Sequence, residues 1–148
     1  MTIAVDFDGT IVEHKFPEIG KQKPFALDTL RALIEDGHHV ILWTVREGEK
    51  LQEAVEYCRQ RGVEFYAVNS EYPNSAWAES SSPRKIRADV YIDDSNLGGI
   101  PDWSEIYQMI THRQIRHHSH SSSHKRKKKN IFQRIVNRCR EARSRMVH

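Results

Sequence analysis

Short runs of β-branched and apolar residues alternate along this chain with amphipathic segments of helical period, and no other feature restricts the fold as much. Thr2 to Phe7 (TIAVDF) is such a run and stops at the turn dipeptide Asp8-Gly9. From Pro24 to Asp36 the apolar positions Leu27, Leu30 and Ile34 recur at helical spacing, Pro24 suits a first turn and Gly37 a stop. Val40 to Trp43 is a second strand. Leu51, Ala54, Val55 and Cys58 then mark the face of a second helix ended by Gly62, and Val63 to Val68 reads as a third strand. Residues 69–83 are polar, with Pro73, Ser75 and Ser80 to Ser82, and read as a long loop. Ala88 to Ile92 is a fourth strand, and Trp103, Ile106, Tyr107 and Ile110 define a last helix after Pro101.

Strands that alternate with helices predict an α/β fold: a parallel sheet joined by right-handed crossovers, with helices on both faces. In such sheets ligands bind beyond the carboxyl ends of the strands, where the strand order reverses. Five residues fall at such ends. Asp6 and Asp8 follow the first strand, Thr44 the second, and Asp93 and Asp94 the fourth.

Carboxylates gathered without a cation raise one another's pKa values and destabilise the fold, so a divalent ion is expected among them. Their hard oxygens, with no nearby His or Cys cluster, suit Mg²⁺ rather than zinc. With a phosphate held by the metal, one carboxylate is free to attack phosphorus and another to move a proton. A hydroxyl such as Thr44 and a cation such as Lys85 complete the requirements of phosphoryl transfer. Arg84 and Arg87 are rival cations, and Arg46, two residues after Thr44, is a further candidate for the phosphate or the substrate.

At these positions the sequence resembles the haloacid dehalogenase superfamily of phosphotransferases. DFDGT (Asp6 to Thr10) is similar to its first motif, ILWT (Ile41 to Thr44) to its second, Lys85 in SPRK to its third and YIDD (Tyr91 to Asp94) to its fourth. The resemblance covers residues 1 to about 111. It implies a three-layer, Rossmann-like domain over residues 1–114 that hydrolyses a phosphomonoester. Asp6 would form an aspartyl-phosphate, and Asp8 would protonate the leaving group and then activate water. Thr44 and Lys85, with Gly9 and Arg46 beside them, would bind the phosphoryl group. The Mg²⁺ set would be Asp6, Asp8 (through its main-chain carbonyl), Asp93 and Asp94, the last either through water or by orienting Lys85. A phosphotransferase would carry the same motifs.

Residues 11–23, with Glu13, His14, Lys15 and Phe16, are too few for a cap domain, as is the segment after the third strand. A capless site is therefore expected, open to small or polymeric phosphorylated substrates unless the 69–83 loop or an oligomer partner covers it. Asn69 and Tyr72 stand where they could meet a base or sugar.

Charge divides the chain in two. Residues 1–111 carry 11 Lys and Arg against 19 Asp and Glu, a net of −8, while residues 112–148 carry 12 against 1, a net of +11. The electrostatic footprint of a polyanion binder thus belongs to the tail alone. Residues 115–148 read as a basic extension. HHSHSSSHKRKKKN is low-complexity and expected to be disordered, and Phe132, Ile135, Val136, Cys139 and Met146 mark a basic amphipathic helix beyond it. An anionic partner, nucleic acid or membrane surface, fits that tail, as does the acidic body or another subunit. Two alternatives to the small-ester phosphatase follow: an enzyme acting on nucleic-acid ends with the tail supplying affinity, and a non-catalytic phosphate-sensing module.

Cys58 and Cys139 lie outside any CxxC spacing, which disfavours a disulfide framework or zinc site and suits a reducing compartment. No secretory leader or membrane-length apolar run is seen, so a cytoplasmic location is expected.

Overall fold

The computed structural model describes residues 1–73 and 85–118, with side chains given to residue 112. The chain divides into two units, residues 1–113 and 114–148, and the elements below, as far as residue 113, build the first. In order they are β1 (Thr2–Val5), α1 (Ala26–Glu35), β2 (His39–Leu42), α2 (Gly48–Arg59), β3 (Ala67–Val68), β4 (Val90–Ile92) and α3 (Trp103–His118). The four strands form one all-parallel sheet in the order β3-β2-β1-β4, an α/β fold.

The registers Val5 with Leu42 and Val5 with Ile92 bring the strands level at their carboxyl ends. One further rung on each side carries the ladder past them. The Asp6 amide donates to the Ile92 carbonyl (3.0 Å) and the Trp43 amide to the Val5 carbonyl (2.8 Å). β1 is central and buried on both faces, as parallel strands are, which explains its unbroken apolar run. The strand order runs one way from β1 to β2 and β3 and the other way to β4, so the reversal lies between β1 and β4.

α1 starts at Ala26 rather than at Pro24 because Phe25 takes a left-handed conformation (φ 62°). It ends as its sequence predicts. The Gly37 amide donates to the Ile34 carbonyl and the His38 amide to the Leu33 carbonyl, a Schellman closure that Gly37 permits at φ 83°. Leu27, Leu30 and Leu33 are buried, each contributing about 1.5–3 kcal/mol by leaving water, while Ile34 is only half-buried. α3 packs beside α1, with the Thr29 hydroxyl donating to the Trp103 carbonyl (3.2 Å) and the Tyr107 hydroxyl to Asp36 (2.7 Å).

β3 is shorter than the predicted Val63–Val68 because the Val63 amide is taken by the Cys58 carbonyl, closing α2. Pairing begins with the Tyr66 amide on the Val40 carbonyl. On one face of the sheet Ala4, Ile41 and Ala67 pack with Ile86, flanked by Trp43, Tyr66, Ala88 and Tyr91, a cluster of strand and loop side chains. Most of the predicted 69–83 loop (residues 74–83), and all of the basic tail beyond residue 118, fall outside the described residues. Among those described, no helix is long and apolar enough to cross a membrane.

Candidate functional site

The chain leaves β1 through Asp6, Phe7 and Asp8, then turns at Gly9 (φ 82°) into a narrow hairpin. Val12 pairs antiparallel with Gln22, and the Glu13 amide donates to the Lys21 carbonyl (2.8 Å). Gly9 is required for space as well as for its φ. A Cβ there would lie 2.1 Å from an Asp94 carboxylate oxygen, so any other residue at this position would push the Asp94 side chain out of its place.

Asp6, Asp93 and Asp94 converge in that gap, offering one carboxylate oxygen each within 4.8 Å of one another. Thr10, fully buried, ties them together. Its hydroxyl donates to Asp6 Oδ2 (3.2 Å) and accepts from the Asp94 amide (3.0 Å). The indole N–H of Trp103 donates to the Thr10 carbonyl (3.1 Å), so α3 braces the same turn. Asp93 is held by its own turn, accepting from the Ser95 amide (2.8 Å). The crowding has an electrostatic signature. Burial, reinforced by Asp93 and Asp94, pushes the Asp6 carboxyl up to about 6, against the opposing hydrogen bonds from the Phe7 amide and Thr10.

Asp8 lies apart from this cluster. Its two oxygens are gripped by Arg46, from Nε (2.6 Å) and Nη2 (2.7 Å), both side chains being buried. Arg46 also donates to the Pro17 carbonyl (3.1 Å) and the Glu18 carbonyl (2.8 Å), and its guanidinium lies over the rings of Phe7 and Phe16 at 5.1 and 5.2 Å. The expectation that Arg46 reaches a phosphate is not met in this arrangement. Its guanidinium is wholly buried and pins the hairpin to the acid instead.

Thr44 is half-buried just past β2. Its amide donates to the Asn69 side-chain carbonyl (2.8 Å), and its hydroxyl accepts from the Arg46 amide (3.3 Å), which leaves the hydroxyl proton free to donate. Asn69, considered as a substrate contact, thus fixes the loop that carries Thr44. Lys85 is exposed, with its ammonium 4.9 Å over the ring of Tyr91. The Arg87 amide donates to Glu71 (2.8 Å), and Arg84 lies outside the described residues. His14 is exposed, as a loop histidine commonly is. Sequence reasoning missed Thr10, whose position inside DFDGT was available as a signal, and Lys23, whose ammonium donates to the Gly9 carbonyl. Nothing in the sequence around Lys23 marks it out.

No family model matches the chain, and no curated protein matches it. Among solved structures it is similar to a conserved protein coded by a locus from Bacteroides thetaiotaomicron, at 57% sequence identity over 76% of this chain and 91% of that one, with a TM-score of 0.70. At that identity and coverage the two proteins belong to one family. The likeness concerns sequence and fold, and the chemistry has to be read from the residues.

Proposed function

We propose that this chain is a Mg²⁺-dependent phosphomonoester hydrolase of the haloacid dehalogenase type, three-layered and without a cap, working through an aspartyl-phosphate on Asp6. The observation that carries the reading is the convergence of Asp6, Asp93 and Asp94 at the point where strand order reverses, with Asp8 two residues from the nucleophile. The only insertion between β1 and α1 among the described residues is a short hairpin, which supports the capless form.

Three carboxylates with no imidazole or thiol among them fit a hard divalent ion, and the Asp6 carboxyl, raised first by burial and further by Asp93 and Asp94, is one whose ionised form such an ion would favour. Asp6, Asp93 and Asp94 would hold it, with the main-chain carbonyl of Asp8. When bound, Mg²⁺ neutralises charge on the phosphoryl oxygens. An Asp6 oxygen attacks phosphorus as the bond to the leaving oxygen breaks, and Asp8, having taken up a proton from solvent on the oxygen released by Arg46, hands the leaving oxygen that proton. To do so, one Asp8 oxygen turns from Arg46 towards the substrate. The same carboxylate then takes a proton from the water that cleaves the aspartyl-phosphate. Thr44, with its free hydroxyl proton, donates to a phosphoryl oxygen. Lys85 would have to leave the Tyr91 ring to serve the same group.

The test is hydrolysis of an aryl phosphate with and without Mg²⁺, beside Asp6→Asn. Turnover is expected to need the metal and to fall by at least about a thousandfold in the variant, a loss on the scale of removing a group that acts in the transition state. Turnover unchanged by the substitution would sink the mechanism.

A further inference from the structure

A guanidinium is costly to bury, yet among the described residues Arg46 is the largest side chain that this chain buries completely. All three of its nitrogens are engaged. Nε and Nη2 donate to the two oxygens of Asp8, while Nη1 and Nη2 donate to the Pro17 and Glu18 carbonyls. Its main-chain amide donates to the hydroxyl oxygen of Thr44 (3.3 Å), the residue proposed above to hold a phosphoryl oxygen. One residue therefore joins the proposed proton donor, the phosphate-binding turn and the hairpin after β1.

The part of the hairpin that it reaches is the exposed one. Val12 with Gln22, and the Glu13 amide on the Lys21 carbonyl, close the base without Arg46, and residues 14–18 beyond them face solvent. Onto this end Arg46 places two hydrogen bonds and a ring contact, the centre of the Phe16 ring lying 5.2 Å from the guanidinium carbon. A bidentate pair fixes direction as well as distance, so a guanidinium displaced with the hairpin end carries the Asp8 carboxylate with it. A lysine ammonium, without the fork, sets no such direction.

We propose that Arg46 is the positioning residue of the proton-transfer step: one Asp8 oxygen keeps its bond to Arg46 while the other turns to the leaving oxygen, and the hairpin end, through Arg46, sets where the turned oxygen stands. This rests on the phosphatase reading above and adds the device that aligns its acid. In that step an Asp6 oxygen bonds to phosphorus and the ester P–O bond breaks, its electron pair staying on the leaving oxygen. The proton carried by the turned Asp8 oxygen passes to that pair, and the carboxylate left behind closes on both Arg46 nitrogens again. Alignment matters only where the leaving oxygen needs the proton. An alkoxide needs it, and a nitrophenolate departs as the anion.

The test compares kcat/KM for ethyl phosphate and para-nitrophenyl phosphate with the full-length protein and Mg²⁺, since kcat/KM reads the steps up to release of the alcohol. In Arg46→Lys, which keeps the charge and loses the fork, the ratio of the nitrophenyl to the ethyl value is expected to rise at least about tenfold, because a misaligned acid forfeits much of what acid catalysis supplies. In Phe16→Ala, at an exposed ring whose removal leaves the buried pair in place, the ratio should rise about two- to fivefold, the scale of one cation–π contact. That variant keeps the test valid should Arg46→Lys not fold. Asp8→Asn should raise the ratio most, and adding Arg46→Lys to it should change the ratio by less than about twofold, as for residues that act as one unit. Equal losses on both esters in Arg46→Lys, the result for a merely structural or a phosphate-binding arginine, overturn the inference and leave the phosphatase reading standing. So does an unchanged ratio in Phe16→Ala, or ratio changes that multiply in the double variant. Failure of the parent to release phosphate from either ester overturns both.

Discussion

Burial and two neighbouring acids make the ionised form of Asp6 costly, a cost that the proposed Mg²⁺ would offset. Its carboxyl is pushed from an ordinary 3.8 to about 6, so between those values the folded chain keeps a proton that the unfolded chain has released. The sign follows from linkage: this group favours the native state most below pH 4, and the advantage is lost as pH rises through 4 to 6. At pH 7 the ionised group costs about 1–3 kcal/mol, reduced from the full shift because the side chain is partly open to solvent. Asp6→Asn is accordingly expected to be more stable than the parent by about that amount in chelator at pH 7, read by urea denaturation. Saturating Mg²⁺ should reverse the order, because it stabilises only the chain that binds it. An Asp6→Asn protein that is less stable in chelator would show that the crowding of acids is relieved in some other way.

At the scale of elements, the hairpin after β1 buries Ile11 and Val12 at its base, while its exposed end is tied down through Arg46, which donates to the Pro17 and Glu18 carbonyls. Replacing Arg46 with Met leaves Asp8 buried without its partner and strips hydrogen bonds from the Pro17 and Glu18 carbonyls. A loss of about 3–5 kcal/mol is expected, as for other buried pairs broken from one side. Adding Asp8→Leu to Arg46→Met should recover part of it, a coupling that denaturation of the single and double variants measures. This pair also shows where the sequence stops being readable. Strand ends, helix faces and glycine stops are local patterns, so periodicity and turn residues alone put Asp6, Asp8, Thr44, Asp93 and Asp94 at one sheet edge. That Arg46 is buried depends on carbonyls 28 and 29 residues away, brought to it by a hairpin with little local signal. An arginine in a loop after a strand otherwise looks like a surface residue. Thr10 was hidden differently: its two hydrogen bonds join residues 4 and 84 positions apart, and only the pairing of β1 with β4 makes them neighbours.

For the whole molecule, the sequence assigns opposite charges to two stretches, and that assignment separates site from tail. Residues 1–118 hold 13 Lys and Arg against 19 Asp and Glu, a net of −6, while the remaining thirty hold 10 against 1. Every residue of the proposed site lies in the first stretch. A chain ended after residue 118 is therefore expected to keep the hydrolysis of small esters within about twofold and to lose retention on an immobilised polyanion, passing to an anion exchanger instead. In the full-length chain that retention should fall steeply with salt, because binding releases condensed counterions in proportion to the phosphates or sulfates neutralised. The comparison also decides what the tail does for catalysis. Should it serve a nucleic-acid-end enzyme, KM for a phosphorylated oligonucleotide would rise on truncation at low salt and become equal for the two chains in about 0.5 M salt, where screening reaches within a few ångströms. The net charge of −6 on residues 1–118, which carry the proposed site, leads to the other outcome: polyanions bind the full-length chain through the tail, yet their end phosphates are turned over no faster with it than without it.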